Sequence, residues 1–354
     1  MKFFKIAIAL LFVLSAAVQT FAVTVTVTPP QMSGGVNQTD VDNASAILGT
    51  NISNQLNRVN DTKKFLEANA NSISYSNHVA TQRGYTDYDW FALTLGWMMG
   101  AQLPSSSYGD VRGLDGNIQD KGDVGTALTN QFAVQLGLKA WFISDDLYLG
   151  AKIGSFKYEV KPNSRNKFKY NAFLFGLTGN YMLFNKTSLG FGVIKWRGLN
   201  FGTGLIYQTT DNKYTMKVRD ITPGTFNTTV VNVENPHLRF SMDSKIVTIP
   251  LELTTALRLL YCVNFTLGIG ADFAMGKTDM SLSMDGDIKV NSGAINTPGR
   301  LNVRGGNDAS PGFVKPKIMG GIGISIGDAL VIDIPFTRYL GNGFDFGITL
   351  GTVW

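Results

Sequence analysis

The chain has 354 residues, 31 of them basic and 26 acidic, and the net charge of +5 is too mild and too dispersed for a nucleic-acid surface. Only 16% of residues are charged, 39 are glycine and mean hydropathy is +0.05, which excludes a helical membrane protein with several apolar spans of about 20 residues. The single cysteine, Cys262, excludes an intrachain disulfide, and export through an oxidising compartment selects against stray thiols.

Residues 1–22 carry Lys2 and Lys5, an apolar run over 6–18, and then Thr20, Phe21 and Ala22. This reads as a secretory signal cleaved after Ala22. The apolar run is short for a bilayer span of about 20 residues, and with no cysteine beside the cut a lipoprotein is not indicated. Loss of the two lysines takes the charge from +5 to +3.

Residues 23–87 form the next unit. Residues 23–30, VTVTVTPP, alternate like a strand and stop at the proline pair. Then Val41, Ala44, Leu48, Ile52, Leu56, Val59 and Leu66 recur every three or four residues behind Thr39 or Asp40 as N-cap, the spacing of an amphipathic helix. It breaks near Asn60 and Asp61. Its stripe of Val41, Leu48, Ile52, Leu56 and Val59 is either the face of a plug seated in a barrel mouth or part of a periplasmic segment or helical pair.

From residue 88 to 354 the period is two. Phe91, Leu93, Leu95, Trp97 and Met99 oppose Ala92, Thr94, Gly96, Met98 and Gly100, and similar stripes follow at 132–142, 147–154, 172–183, 247–254, 264–273, 317–326 and 330–336. Residues 196–219 read as a short hairpin pair turning at Asp211 and Asn212. Tight turns at Ser144, Asn185, Arg258 and Gly327 alternate with long connections at 104–125, 160–167, 219–243 and 276–313. Short turns on one side and long loops on the other mark a membrane barrel, here of about 12 strands within a range of about 10 to 14. The rival, a soluble sandwich, has to bury every one of these stripes between its two sheets.

By the same parity Lys139, Lys152, Glu252, Asp272, Lys317, Asp333 and Asp345 point into the lumen, since Lys or Arg on the lipid face costs about 2 to 4 kcal/mol at the midplane. They line a wetted passage that biases which solutes pass, or they form salt bridges that fill a narrow interior. Catalytic signals are absent. His78 precedes the barrel and His237 adjoins Pro236 in a polar stretch, so both read as loop residues. The serine–histidine or histidine–aspartate sets of membrane phospholipases and omptin-like proteases are not visible. Asp110, Asp115, Asn117, Asp120 and Asp123 lack the spacing and central glycine of a calcium loop, and Gly268 and Gly270 have no following helix. No metal or cofactor is expected.

The chain ends GFDFGITLGTVW, with Phe344, Phe346, Ile348, Leu350 and Trp354 on one face of the final strand. This resembles the carboxy-terminal signature of bacterial outer-membrane barrels, an alternating strand ending in an aromatic residue that the barrel-insertion machinery reads. Phe is usual at the end, and Thr352 stands where a larger apolar group is common. The resemblance implies an all-β fold, a transmembrane antiparallel up-and-down barrel in the outer membrane of a Gram-negative-type bacterium, with lipid as its surroundings. An N-terminal plug before a barrel also resembles long-chain fatty-acid channels in architecture. The expected function is a passive channel or transporter for small solutes gated by that plug. The alternative is a structural or adhesive surface protein whose long loops bind ligands.

Overall fold

The structure, a computed structural model, describes residues 22–56, 62–83, 88–103, 127–163, 166–189, 193–217, 221, 223–291, 293–327 and 329–354. Residues 1–21, Val59, the Asn60–Asp61 break and the loop with Asp110, Asp115, Asn117, Asp120 and Asp123 lie outside them.

The N-terminal elements are β1 (Ala22–Thr28), β2 (Gln31–Gly34), α1 (Gln38–Leu56) and α2 (Thr62–Ser76). They are followed by β3 (Phe91–Gln102), β4 (Ala127–Lys139), β5 (Leu147–Asn163), β6 (Asn166–Phe184), β7 (Thr187–Leu189), β8 (Ile194–Lys217) and β9 (Gly224–Phe226). The rest are β10 (Thr229–Leu259), β11 (Val263–Val290), β12 (Ala294–Thr297), β13 (Gly299–Ala309), β14 (Val314–Ile326), β15 (Leu330–Tyr339) and β16 (Gly343–Val353).

The strands β3-β4-β5-β6-β8-β10-β11-β14-β15-β16 pair antiparallel in that order, and β16 pairs back onto β3, closing a ring. Alternation decides the two faces. Leu350 pairs with Leu95 and Ile348 with Trp97, both turned outward, while their neighbours Thr94, Gly96 and Thr349 face in. The outward band is apolar, and Trp90, Trp141, Phe142, Phe184, Tyr261 and Trp354 are exposed near its C-terminal end, as in the aromatic girdles of membrane barrels.

The ring of ten strands falls inside the expected range. The count of about 12 included a hairpin at residues 196–219, which is the single strand β8, paired past Asp211 and Asn212 to both neighbours. Those residues look like a turn because β8 there has left the oily band. Lys213 donates to Asp211 at 2.7 Å on its exposed surface.

Two of the long connections are likewise strands. β10 has 31 residues and β11 has 28, roughly 90 to 100 Å at about 3.3 Å per residue, far more than the ~30 Å of a bilayer core. Beyond the band they continue as a hairpin to which β13 adds, and β1 pairs along β13 from Ala22↔Gly306 to Thr28↔Arg300. Residues 22–28 thus join the sheet, while β2 pairs with β12 in a separate two-stranded sheet. One face of this projecting lobe is apolar, with Val231, Val233, Met284, Ile288, Leu301 and Val303, and in water such a face needs cover.

Helix α1 supplies that cover. Val41, Leu48 and Ile52 pack on those six residues, so the stripe that read either as a plug face or as part of a periplasmic segment or helical pair is the lid of the lobe, and Leu56 ends its helix. Leu48 is fully buried. Leu48→Ala is expected to cost the lobe about 2–5 kcal/mol, read as earlier protease cleavage of the lobe in a barrel whose heat-modifiability on gels is unchanged.

Candidate functional site

The lumen holds residues 62–83. At the lobe end Phe65 and Leu66 pack with Met242, Met280 and Ala309. Lower down, Ser72 meets Thr129 at 2.8 Å and the Tyr75 hydroxyl donates to Gln102 Oε1 at 2.7 Å. In mid-barrel the Ala80 carbonyl accepts from Thr94 at 2.6 Å. Past the undescribed residues 84–87, Tyr88 packs with Ala92, Tyr148, Val331 and Val353 near the C-terminal end. Residues 62–83 therefore enter at the lobe end and descend the lumen, and Tyr88 stands at the opposite mouth.

Glycines on the wall make room for it. A Cβ on Gly100 would fall on the Ser72 carbonyl, one on Gly96 would lie 2.7 Å from the Ala80 nitrogen, and one on Gly343 would enter the Tyr75 ring. The facing surface of α2 is correspondingly small and polar, with Ala68, Asn69, Ser72 and Ser76 all buried.

Below α2 the segment is fixed by charge. Lys317 of β14 lies 2.6 Å from Glu252 of β10 and 2.5 Å from Asp272 of β11. Arg83 bonds Glu252 at two points, 2.7 Å and 3.0 Å, and donates to Thr337 at 3.1 Å. Two-point guanidinium–carboxylate pairing is strong and directional. His78 Nε2 stands 2.7 Å from Asp272 and its Nδ1 3.4 Å from Glu252. The Tyr339 hydroxyl lies 3.0 Å from Asp272 and 3.2 Å from Asp345, and its ring stacks on Tyr75 at 3.9 Å between centroids.

Every one of these side chains is buried; two cations, Arg83 and Lys317, face Glu252 and Asp272, and the third carboxylate, Asp345, accepts from the Tyr339 hydroxyl. Such a group is tolerable out of water only when each charge has its partner. His78, Glu252 and Asp272 also present three ligand atoms within 4.8 Å of one another. The Lys317 ammonium is 3.1 Å from His78 Nε2 as well as against both carboxylates, so the chain's own cation stands among the three.

Lys152 adds a second tie, donating to the Asn77 carbonyl at 2.8 Å and to Thr81 Oγ1 at 3.0 Å. Lys315 donates to Ser74 at 2.5 Å. The structure thus gathers Lys152, Glu252, Asp272, Lys317 and Asp345 around one segment, while Asp333 is buried and Lys139 half-buried nearer the C-terminal end. His237 is half-buried in β10 beside the bulge at Glu234/His237. Phe346, Ile348, Leu350 and Trp354 are exposed on the outer face, and Phe344 is half-exposed on that face.

His78 and Arg83 were not expected in this group, His78 having read as a loop residue. One signal was available. Arg83 is the single fixed cation between Lys64 and Arg112, and the inward carboxylates of β10 and β11 require more positive charge than Lys317 supplies.

Solved structures with similar arrangements include the translocator domain of the autotransporter NalP from Neisseria meningitidis, at 8% identity and a TM-score of 0.37 over 76% of this chain and 89% of that one. The beta domain of the Bordetella autotransporter Brka matches at 11% identity and 0.30 over 75% and 100%. The Ralstonia pickettii toluene transporter TbuX matches at 9% and 0.25 over 81% and 97%. No curated protein sequence matches the chain. One family model does, over residues 21–354. Its span takes in the lobe, the lumen segment and the whole ring together, and the chain belongs to the family described as Lsa36-like.

Proposed function

We propose that the protein is an outer-membrane barrel that passes small solutes and is held shut at rest by its own residues 62–83. In this reading it is exported with cleavage after Ala22, and the insertion machinery reads Phe344, Phe346, Ile348, Leu350 and Trp354. Its lumen-lining charges set what passes, and neither histidine has a catalytic part.

The observation that carries the reading is the way α2 satisfies its own hydroxyls. Ser72, Ser74 and Ser76 donate to the carbonyls of Asn69, Asn71 and Ile73 at 2.8, 2.7 and 2.9 Å. These three serine donors are paired within the helix, so a shift of α2 along the glycine-lined wall does not strand them. The wall holds α2 itself by single hydrogen bonds, as at Ser72, Ser74 and Tyr75, and the charge pairs lie below it, at His78 and Arg83.

A disulfide tests this. In a Cys262→Ser background, Ser72→Cys with Thr129→Cys joins α2 to the wall where their hydroxyls are 2.8 Å apart. Discrete steps in planar-bilayer current are expected from the reduced protein and are expected to vanish on oxidation. Steps that persist unchanged in the oxidised form would sink the proposal.

The lobe favours a second reading, in which the barrel anchors a ligand-binding surface. A protein silent in the bilayer both oxidised and reduced would favour it.

A further inference from the structure

We infer that the barrel carries its own N-terminal lobe across the outer membrane, so that residues 22–56 stand on the side opposite the C terminus and residues 62–83 mark the path of crossing. This rests on the barrel residing in the outer membrane and goes beyond its conduction of solutes.

The two ends of the barrel are distinct. Trp354, the turn at Ala140–Asp146, the Leu260–Cys262 turn and the turn after Ile326 share one end: the Trp354 carbonyl accepts from Asp89 and Trp90, and Lys139 donates to the Trp90 carbonyl. Cys262 accepts from Ser325 at the same end. The projecting parts of β10, β11 and β13 share the other end, and β1 and α1 are built onto them. Outer-membrane barrels keep short turns in the periplasm and long connections outside, which puts the lobe outside.

A secreted chain reaches the periplasm first, so β1 and α1 have a membrane to cross before they reach their places. Lipid is closed to them. The segment from Gln38 to Leu56 carries Asp40, Asp42 and five asparagine or glutamine side chains, and β1 alone would expose an unpaired strand edge to hydrocarbon. The remaining route is the lumen. A ring of ten strands lies between the eight that side chains just fill and the 16 to 18 that hold open water, which leaves width for one pass of polypeptide. That pass is what the lumen contains, lined by Gly96 and Gly100 where its backbone comes closest and by Gly343 against the Tyr75 ring.

The order of events follows. The lobe cannot cross folded, because β1 is hydrogen-bonded to β13 over seven residue pairs and α1 is locked on the sheet. It crosses unfolded and then assembles outside, and residues 62–83 stay behind as the last stretch in transit, fastened by Glu252 and Asp272.

The full-length chain, expressed in a diderm bacterium in a Cys262→Ser background, provides the test. Asn43→Cys reports on an exposed position of α1 and Asp145→Cys on the exposed turn after β4. With a membrane-impermeant maleimide, Asn43→Cys is expected to label in intact cells, and Asp145→Cys to label only after the outer membrane is permeabilised. Labelling of both positions under the same condition, or the reverse order, would overturn the inference. Recovery in the outer-membrane fraction is scored separately, and a chain absent from it would overturn the barrel reading as well. Should Asn43→Cys not accumulate, Ser33→Cys on the exposed surface of β2 serves as a second reporter.

Discussion

Lys317→Ala is expected to lower the temperature at which the barrel loses its compact, fast-migrating form in detergent gels, by the equivalent of about 3–5 kcal/mol. The ammonium is the one group that touches Glu252, Asp272 and His78 together. Among the described residues Asp272 then keeps His78 and Tyr339 as its hydrogen-bond partners, and a buried carboxylate stripped of its fixed cation costs far more than a surface pair gains. The variant also frees the centre of a His78, Glu252 and Asp272 set whose ligand atoms lie within 4.8 Å. Zn²⁺ is therefore expected to restore much of the lost stability in Lys317→Ala and to leave the wild type unmoved. A variant as heat-resistant as wild type without zinc would mean that the charges are held by something other than one another.

Gly100→Leu is expected to open the lumen. Even the first carbon of that side chain falls on the Ser72 carbonyl, and it lies 2.7 Å from the Ser76 nitrogen. Both are backbone atoms of α2, so the clash is relieved only by moving the helix off the wall. The strand itself tolerates the change, since Gly100 pairs with Thr129 on one side and Asp345 on the other within an ordinary ladder. The barrel should therefore form with residues 62–83 displaced, conduct in large and steady steps, and lose the protection of that segment from added protease. A silent Gly100→Leu barrel with an intact segment would show that the helix does not depend on this approach.

The barrel was readable because lipid imposes one rule on every strand. Phe91, Leu95, Phe265 and Ile348 face acyl chains whatever their neighbours do, so the period of two survives from strand to strand. Above the membrane the rule lapses. Val231, Val233, Leu301 and Val303 keep the same period, yet they stand among asparagines, aspartates and lysines on the watered face, and the segments resembled loops. The inward charges could be placed by parity, because a lysine such as Lys152 or Lys317 has only two sides to choose from. Their partners could not. His78 and Arg83 belong to no regular element, and their positions are set by how far α2 descends, a quantity that depends on the glycines of β3 and β16 and not on any local pattern. The stripe on α1 was visible, but nothing in it distinguished a lumen from an exterior sheet as the surface it covers.

β10 and β11 serve two parts of the molecule. Their outer lengths carry α1 and, through β13, β1, and their inner lengths carry Glu252 and Asp272. The hairpin runs unbroken from Val247 to Glu252 and from Met275 to Asp272, with every residue paired across it. Below the shift in pairing between Glu234 and His237, the exterior and the carboxylates that grip Arg83 and His78 are thus parts of one continuous hairpin.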